Sequence, residues 1–331
     1  MTKPPHRAAP PSAHGVTGDP ATNAVAHAWA QVGAALSPHP DCPLPSWTGG
    51  GDTLHQHLLV IGTDNDADWL NQLCHLDAAA ARFGKVGFVG PASVRRLVEW
   101  SMGETVVVLS RMPRDVSDWD LRCPITALAR ALGPQAAATH AGRPYLRVAS
   151  TAARHWRDRL AAAAQHGFCV GFGGLRTIEC DANGASHASR FAALAPLLRV
   201  PGVSWVPLGA PASDATLDAI VPETVDWIDW RADCEDLADE ASLIDNLDLV
   251  ISLDAAHVHL AAGLGVPVWQ LNASPAATRH EPHRSTHFSP ENLAEMRAFR
   301  LPSPGNDWPG AVDAAASALL ALATEFQGWT R

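Results

Sequence analysis

The amino-acid sequence predicts an α/β protein with two halves of similar size, each built on a parallel sheet, which face each other across a cleft. From His57 onward, apolar strands alternate with amphipathic helices, a pattern typical of parallel sheets covered by helices. A second series of the same kind begins at Phe168. The chain has 331 residues, more than one hydrophobic core usually supports, which favours two domains.

The first half is expected to follow a separate N-terminal segment, residues 1–44. Within it, the Pro-, Ala- and His-rich residues 1–22 predict a flexible tail, and residues 23–37 predict a single helix. Residues 45–150 then form the first domain. Its predicted elements are strand His57–Gly62, helix Asp66–Phe83, strand Lys85–Val89, helix Ala92–Ser101 and strand Thr105–Leu109.

The second half follows an amphipathic linking helix, residues 151–166, and is expected to span residues 167–308. A C-terminal helix in residues 309–331 is most regular over Ala311–Phe326. The elements predicted between them are strand Phe168–Phe172, helix Ser189–Leu198, strand Val203–Pro207, strand Ile228–Trp230, helix Glu240–Asn246, strand Leu247–Leu253, helix Ala255–Leu264 and strand Val266–Leu271.

Composition argues against several classes of function. The net charge is −10 and the chain has no run of Lys or Arg, so nucleic acid is not an expected partner. The six cysteines include no C-x-x-C pair, which disfavours a zinc site and favours reduced thiols in a cytoplasmic protein. No apolar stretch is long enough to predict a transmembrane segment.

The most informative segment is the strand–helix unit around Asp254. The apolar strand stops at Asp254, a helix begins at Ala255, and Gly265 with Pro267 ends that helix. A helix that starts at the carboxyl end of a strand directs free N–H groups and its positive dipole end at whatever lies above the sheet. The segment therefore predicts a phosphate-binding corner, although many such corners bind nothing.

Two further polar clusters are candidates for chemistry. Asp64, Asp66 and Asp68 follow the first strand, where one of them could act as a general base, or they could simply favour the start of a helix. Arg279 and Arg284 lie among histidines in a loop-like stretch. Guanidinium groups suit phosphate, whereas the histidine spacings fit no common metal site.

Residues 248–271, DLVISLDAAHVHLAAGLGVPVWQL, resemble the signature of bacterial heptosyltransferase-type (family 9-like) glycosyltransferases. The likeness is greatest to the branch often fused to tetratricopeptide repeats. Weaker likenesses occur in the right order over about residues 45–312, including PGVSWVPLG, RSTHFSP and MRAFR. The resemblance implies a GT-B-like fold and metal-independent sugar transfer from a nucleotide-sugar, without a cofactor. The acceptor stays open between a glycan, a lipid-linked sugar and a protein.

The resemblance also implies roles for individual residues. The second domain would bind the nucleotide-sugar, the first domain would bind the acceptor, and Asp66 or Asp68 would be the catalytic base. The implied donor-binding positions are Asp254, Ala255, Ala256, His259, Arg279, Gly209 and His187.

Several of these positions depart from the family pattern. Ala255 replaces a threonine, His187 stands where the family has an arginine, Gly209 replaces a glutamine, and residues 62–68 replace a glycine-rich loop. These departures leave a second hypothesis open, in which the chain is a catalytically inactive relative that serves as a binding or scaffold subunit in a carbohydrate or envelope system. A third is an unrelated α/β protein with one continuous sheet.

Overall fold

The computed structural model describes residues 42–62, 67–134, 143–175, 193–210, 221–272, 296–300 and 308–329. They form two separate sheets in which every strand pairing is parallel. The predicted fold class is confirmed, and the single-sheet alternative is wrong. The predictions for the N-terminal tail and for a helix at residues 23–37 lie outside the described residues.

The first sheet has four strands in the order β3-β2-β1-β4. Its inner strands are continuous apolar runs because helices cover both faces of a parallel sheet. The strands are β1 (His57–Ile61), β2 (Lys85–Val89), β3 (Val107–Leu109) and β4 (Leu121–Pro124), and the helices are α1 (His75–Ala80), α2 (Ala92–Met102) and α3 (Ile125–Leu132).

The structure corrects two predictions in this half. The long helix predicted at Asp66–Phe83 is a 3-10 turn, Ala67–Gln72, followed by the separate helix α1. Strand β4 was not predicted, because its sequence LRCP carries a charged residue. Arg122 is 3% exposed, and its Nε donates to the Leu44 carbonyl at 3.0 Å, which gives the buried guanidinium a hydrogen-bond partner.

The second sheet has six strands in the order β10-β9-β8-β5-β6-β7. These are β5 (Phe168–Gly173), β6 (Val203–Pro207), β7 (Asp226–Trp227), β8 (Leu249–Ser252), β9 (Val268–Asn272) and β10 (Met296–Arg300). The remaining helices among the described residues are α4 (Ser150–Ala163), α5 (Ala195–Leu198), α6 (Leu237–Ile244), α7 (Ala255–Leu264) and α8 (Trp308–Trp329).

Two elements in this half are displaced from their predicted positions, and one strand was not predicted. The strand predicted at Ile228–Trp230 lies earlier, at β7. Helix α6 begins three residues earlier than predicted, because Asp236 caps it by accepting from the N–H groups of Ala238 and Asp239. Strand β10 was not predicted. The helix predicted at Ser189–Leu198 is described only in part, as α5 (Ala195–Leu198).

The two halves are packed against each other through a shared apolar core. The turn Ala67–Gln72 contacts helix α7, and helix α2 contacts helix α6. Polar contacts add to this packing. Tyr145 donates to the Leu70 carbonyl at 3.3 Å, and Arg96 lies 2.7 Å from both Asp236 and Asp239. None of the described helices is long and apolar enough to cross a bilayer.

Candidate functional site

Each sheet has one place where the strand order reverses, and these places position the candidate site. In the second sheet the chain runs from β5 to β6 and β7 on one side, then crosses to β8, β9 and β10 on the other. The reversal therefore lies between β5 and β8. In the first sheet it lies between β1 and β4. Ligands of open α/β sheets bind outside the carboxyl ends of strands at such points.

The corner predicted at Asp254 lies at the reversal point of the second sheet. Asp254 is the N-cap residue of α7, and its carboxylate accepts from the His257 N–H. Gly265, with φ +85°, ends the helix in a left-handed conformation that favours glycine. Leu253 N–H donates to the Gly173 carbonyl at the end of β5. The local pattern of the sequence thus correctly predicted both ends of this helix.

The first N–H groups of a helix lack partners within the helix and must find them elsewhere. At α7, the Asp254 N–H donates to Ser252 Oγ at 3.1 Å, and the His257 N–H donates to Asp254 Oδ1 at 2.9 Å. The N–H groups of Ala255 and Ala256 have no hydrogen-bond partner among the described residues. Asp254, Ala255 and Ala256 are half-buried, so this end of the helix reaches solvent.

The inner side of the corner is filled by the His257 side chain, which is held between two carboxylates. Its Nδ1 lies 2.8 Å from Asp254 Oδ1, and its Nε2 lies 3.1 Å from Glu240 Oε1. The same Glu240 oxygen accepts from the Gly209 N–H. These contacts join the N-terminus of α7, helix α6 and the end of β6. We call Asp254, His257 and Glu240 the buried triad.

The three groups of the buried triad hold one another in their charged forms. Burial alone would lower the pKa of His257, but Glu240 and Asp254 outweigh it and raise the pKa to about 10. Burial would likewise raise the pKa of Glu240 and of Asp254, and in both cases the charge and hydrogen bonds of His257 lower it below the usual value. The triad is therefore ionic at neutral pH, with one net negative charge.

The structure brings several of the predicted donor-binding residues together. Gly209 lies beside His257, since a Cβ at Gly209 would be 3.2 Å from His257 Cε1. His259 is buried within α7 and is 7% exposed. Asp254, Ala255 and Ala256 form the corner itself. Their roles as donor ligands stay predictions. His187 and Arg279 lie outside the described residues.

Of the two predicted catalytic residues, Asp68 falls in the turn Ala67–Gln72 that follows β1, whereas Asp66 lies outside the described residues. This turn follows the strand at the reversal point of the first sheet, and it contacts helix α7 of the second half. The fold therefore places the segment of the predicted base against the helix whose N-terminus forms the predicted donor corner.

The sequence interpretation missed the buried triad. Asp254 and His257 are three residues apart, which is the spacing of an N-cap and its partner, so this pair could have been found. Glu240 lies on another helix, and no local pattern links it to His257. Within the described ranges, no group of three or more His, Cys, Asp or Glu side chains could hold a metal ion.

Gly173→Ala is expected to disturb the Asp254 corner from strand β5, by displacing the His257 side chain. A Cβ at this position would lie 2.7 Å from His257 Cγ and 2.8 Å from Ser252 Oγ, so His257 would have to shift. We expect a loss of about 1–3 kcal/mol in the free energy of unfolding, as for other overpacked interiors, measured by urea denaturation. The control is Gly167→Ala, whose Cβ would meet only the far end of the Phe326 ring. Equal losses in the two variants would contradict this expectation.

Comparison with known proteins identifies the architecture. No family model and no curated protein matches the sequence. Solved structures do match. E. coli ADP-heptose LPS heptosyltransferase II aligns with a TM-score of 0.55 and 14% identity, over 80% of this chain and 99% of that one. The family 9 glycosyl transferase from Veillonella parvula aligns with a TM-score of 0.54 and 12% identity, over 82% and 99%.

The protein therefore belongs to the class of two-sheet α/β proteins with GT-B-like architecture. More narrowly, it has the heptosyltransferase-type fold, as the resemblance of residues 248–271 implied. The alignments cover nearly the full length of both solved structures, so the likeness extends over both halves of the fold.

Proposed function

We propose that the protein is a glycosyltransferase that binds a nucleotide-sugar at the Asp254 corner and transfers the sugar to an acceptor bound by the first half. The observation that carries this proposal is the pair of N–H groups at Ala255 and Ala256, which have no hydrogen-bond partner among the residues that the structure describes. They lie half-buried at a strand-order reversal point and at a helix N-terminus, where the diphosphate of a nucleotide-sugar would gain both hydrogen bonds and the helix dipole.

The leaving diphosphate develops negative charge during transfer, and preorganised donors stabilise such charge. Because backbone amides and arginines can do this, the proposal requires no metal ion, with Arg279 supplying a side-chain donor. On the acceptor side, a carboxylate must accept the proton of the attacking hydroxyl. We assign this role to Asp68 or Asp66, because Asp68 lies in the turn that contacts α7.

The shared fold with a heptosyltransferase whose name states an ADP-heptose substrate makes ADP-sugars the first donors to test. Thermal denaturation would be followed with ADP-, UDP- and GDP-sugars, each with and without EDTA. A ligand at about 100 times its dissociation constant adds about 2.7 kcal/mol of stability. We expect one nucleotide series to raise the melting temperature, and EDTA to leave that increase unchanged.

Arg279→Ala tests the arginine in the same assay. We expect the variant to melt at the wild-type temperature without ligand and to lose most of the ligand-induced increase, because a charged donor to the diphosphate is gone. The control is Arg147→Ala, since Arg147 is exposed in the loop before α4. Unchanged nucleotide affinity in Arg279→Ala would remove the arginine from the site. If no nucleotide raised the melting temperature of the wild type, the result would favour a non-catalytic scaffold.

A further inference from the structure

The corner that is proposed to receive a diphosphate already contains two half-buried carboxylates. The side chains of Asp254 and Glu240 are only 27% and 14% exposed, so water screens their charges weakly. An anionic ligand above Ala255 and Ala256 would be repelled by both. The only cationic side chain that contacts either carboxylate among the described residues is His257.

His257 is placed to offset this repulsion without touching the ligand. Both ring nitrogens are engaged, one by Asp254 and the other by Glu240, so neither is free to bind phosphate. The ring is enclosed between the ends of two strands: a Cβ at Gly173 on β5 would lie 2.7 Å from His257 Cγ, and one at Gly209 after β6 would lie 3.2 Å from His257 Cε1. The imidazolium is therefore fixed behind the helix N-terminus.

We infer that His257 is a positioning residue for the nucleotide-sugar, a buried imidazolium that neutralises one carboxylate of the corner and holds the other as the cap of α7. This inference rests on the proposed function, and it adds the requirement for a cation that the ligand never contacts. It also gives Glu240 a role, because Glu240 is the second carboxylate that keeps His257 charged and that fixes the Gly209 backbone.

The groups that face His257 define how it titrates. Glu240 on α6 and Asp254 at the start of α7 both raise its pKa, which reaches about 10. Cys234 lies near Glu240, and burial together with that carboxylate raises the pKa of its thiol to about 12, so Cys234 is neutral over the range of interest. The imidazolium thus persists through neutral and mildly alkaline pH.

The test is a comparison of nucleoside diphosphate affinity by calorimetry in wild type, His257→Gln, Glu240→Gln and the double variant. Removing the imidazolium should weaken affinity roughly tenfold or more, the effect of one unit charge about 10 Å away at an effective dielectric constant of about 20. Adding Glu240→Gln should recover part of this loss, because it removes one of the two uncompensated carboxylates. A histidine with only a packing role would show no such recovery.

Glu240→Gln alone provides an independent measurement if His257→Gln does not fold. The amide keeps an acceptor for the Gly209 N–H, but the charge that most raises the pKa of His257 is gone. The alkaline loss of nucleotide affinity should then occur about one pH unit or more below that of the wild type. The protonation state of the ring can be followed in both proteins by ¹⁵N NMR.

His166→Gln is the matched control, because His166 is exposed and lies at the opposite end of strand β5. It should bind like the wild type at every pH. Wild-type affinity in His257→Gln, or no recovery in the double variant, would overturn the inference while leaving the proposed function intact. Absence of nucleotide binding by the wild type would overturn both.

Discussion

Asp68→Asn is expected to slow sugar transfer by about 10²- to 10⁴-fold, the usual contribution of a positioned general base. The asparagine cannot accept the proton of the attacking hydroxyl. The affinity of the variant for the nucleotide-sugar should stay close to that of the wild type, because the Asp68 carboxylate acts on the acceptor rather than on the diphosphate. The measurement is release of nucleoside diphosphate from the donor identified by thermal denaturation, at saturating donor concentration.

Two further variants complete this experiment: Asp66→Asn tests the alternative base, and Asp52→Asn is the control. Asp66 is the alternative base, so a loss of the same size in Asp66→Asn with full activity in Asp68→Asn would move the assignment by two residues. Asp52 is exposed and precedes β1 at the other end of the strand, and its variant should retain full activity. Full activity in both Asp66→Asn and Asp68→Asn would contradict the assignment of a base to this segment.

Glu240→Ala should be among the most destabilising single substitutions in the second half. It leaves the imidazolium of His257 buried with one carboxylate instead of two and removes the acceptor of the Gly209 N–H. Breaking a buried ion pair by deleting one partner costs about 3–5 kcal/mol. Glu240→Gln is the matched control, since it retains an acceptor oxygen, and it should lose less. Urea denaturation at pH 6.5 measures both, and equal stability of Glu240→Ala and wild type would contradict this expectation.

The dependence of stability on pH provides a second signature of the buried triad. An unfolded histidine titrates near pH 6.5, whereas the pKa of folded His257 is about 10. Its stabilisation is therefore complete below about pH 6.5 and is lost as pH rises through about 10. The carboxylates have lowered pKa values, so their contribution is lost on acidification instead. Glu240→Ala should flatten the alkaline decline, which repeating the denaturation at pH 9 would show.

The parts of the fold that were predicted correctly are those in which neighbouring residues determine the structure. Strand β8, the cap at Asp254, helix α7 and its end at Gly265 each follow from a local apolar run, a capping carboxylate or a glycine. One failure coincides with a contact between the two halves. The apolar pattern of residues 66–83 predicts one helix, yet contact with α7 in the other half accompanies a 3-10 turn over Ala67–Gln72.

The sequence by itself determined two parallel α/β halves and a helix N-terminus at Asp254, because strand periodicity, capping and helix termination depend on residues a few positions apart. Only the tertiary structure decided what lies behind that helix. His257 meets Glu240 from another helix, and Glu240 meets Gly209, which precedes it by 31 positions. Contacts of this kind arise when parallel strands bring distant chain segments to one edge of a sheet, so the charge of the corner was set by packing and not by any local pattern.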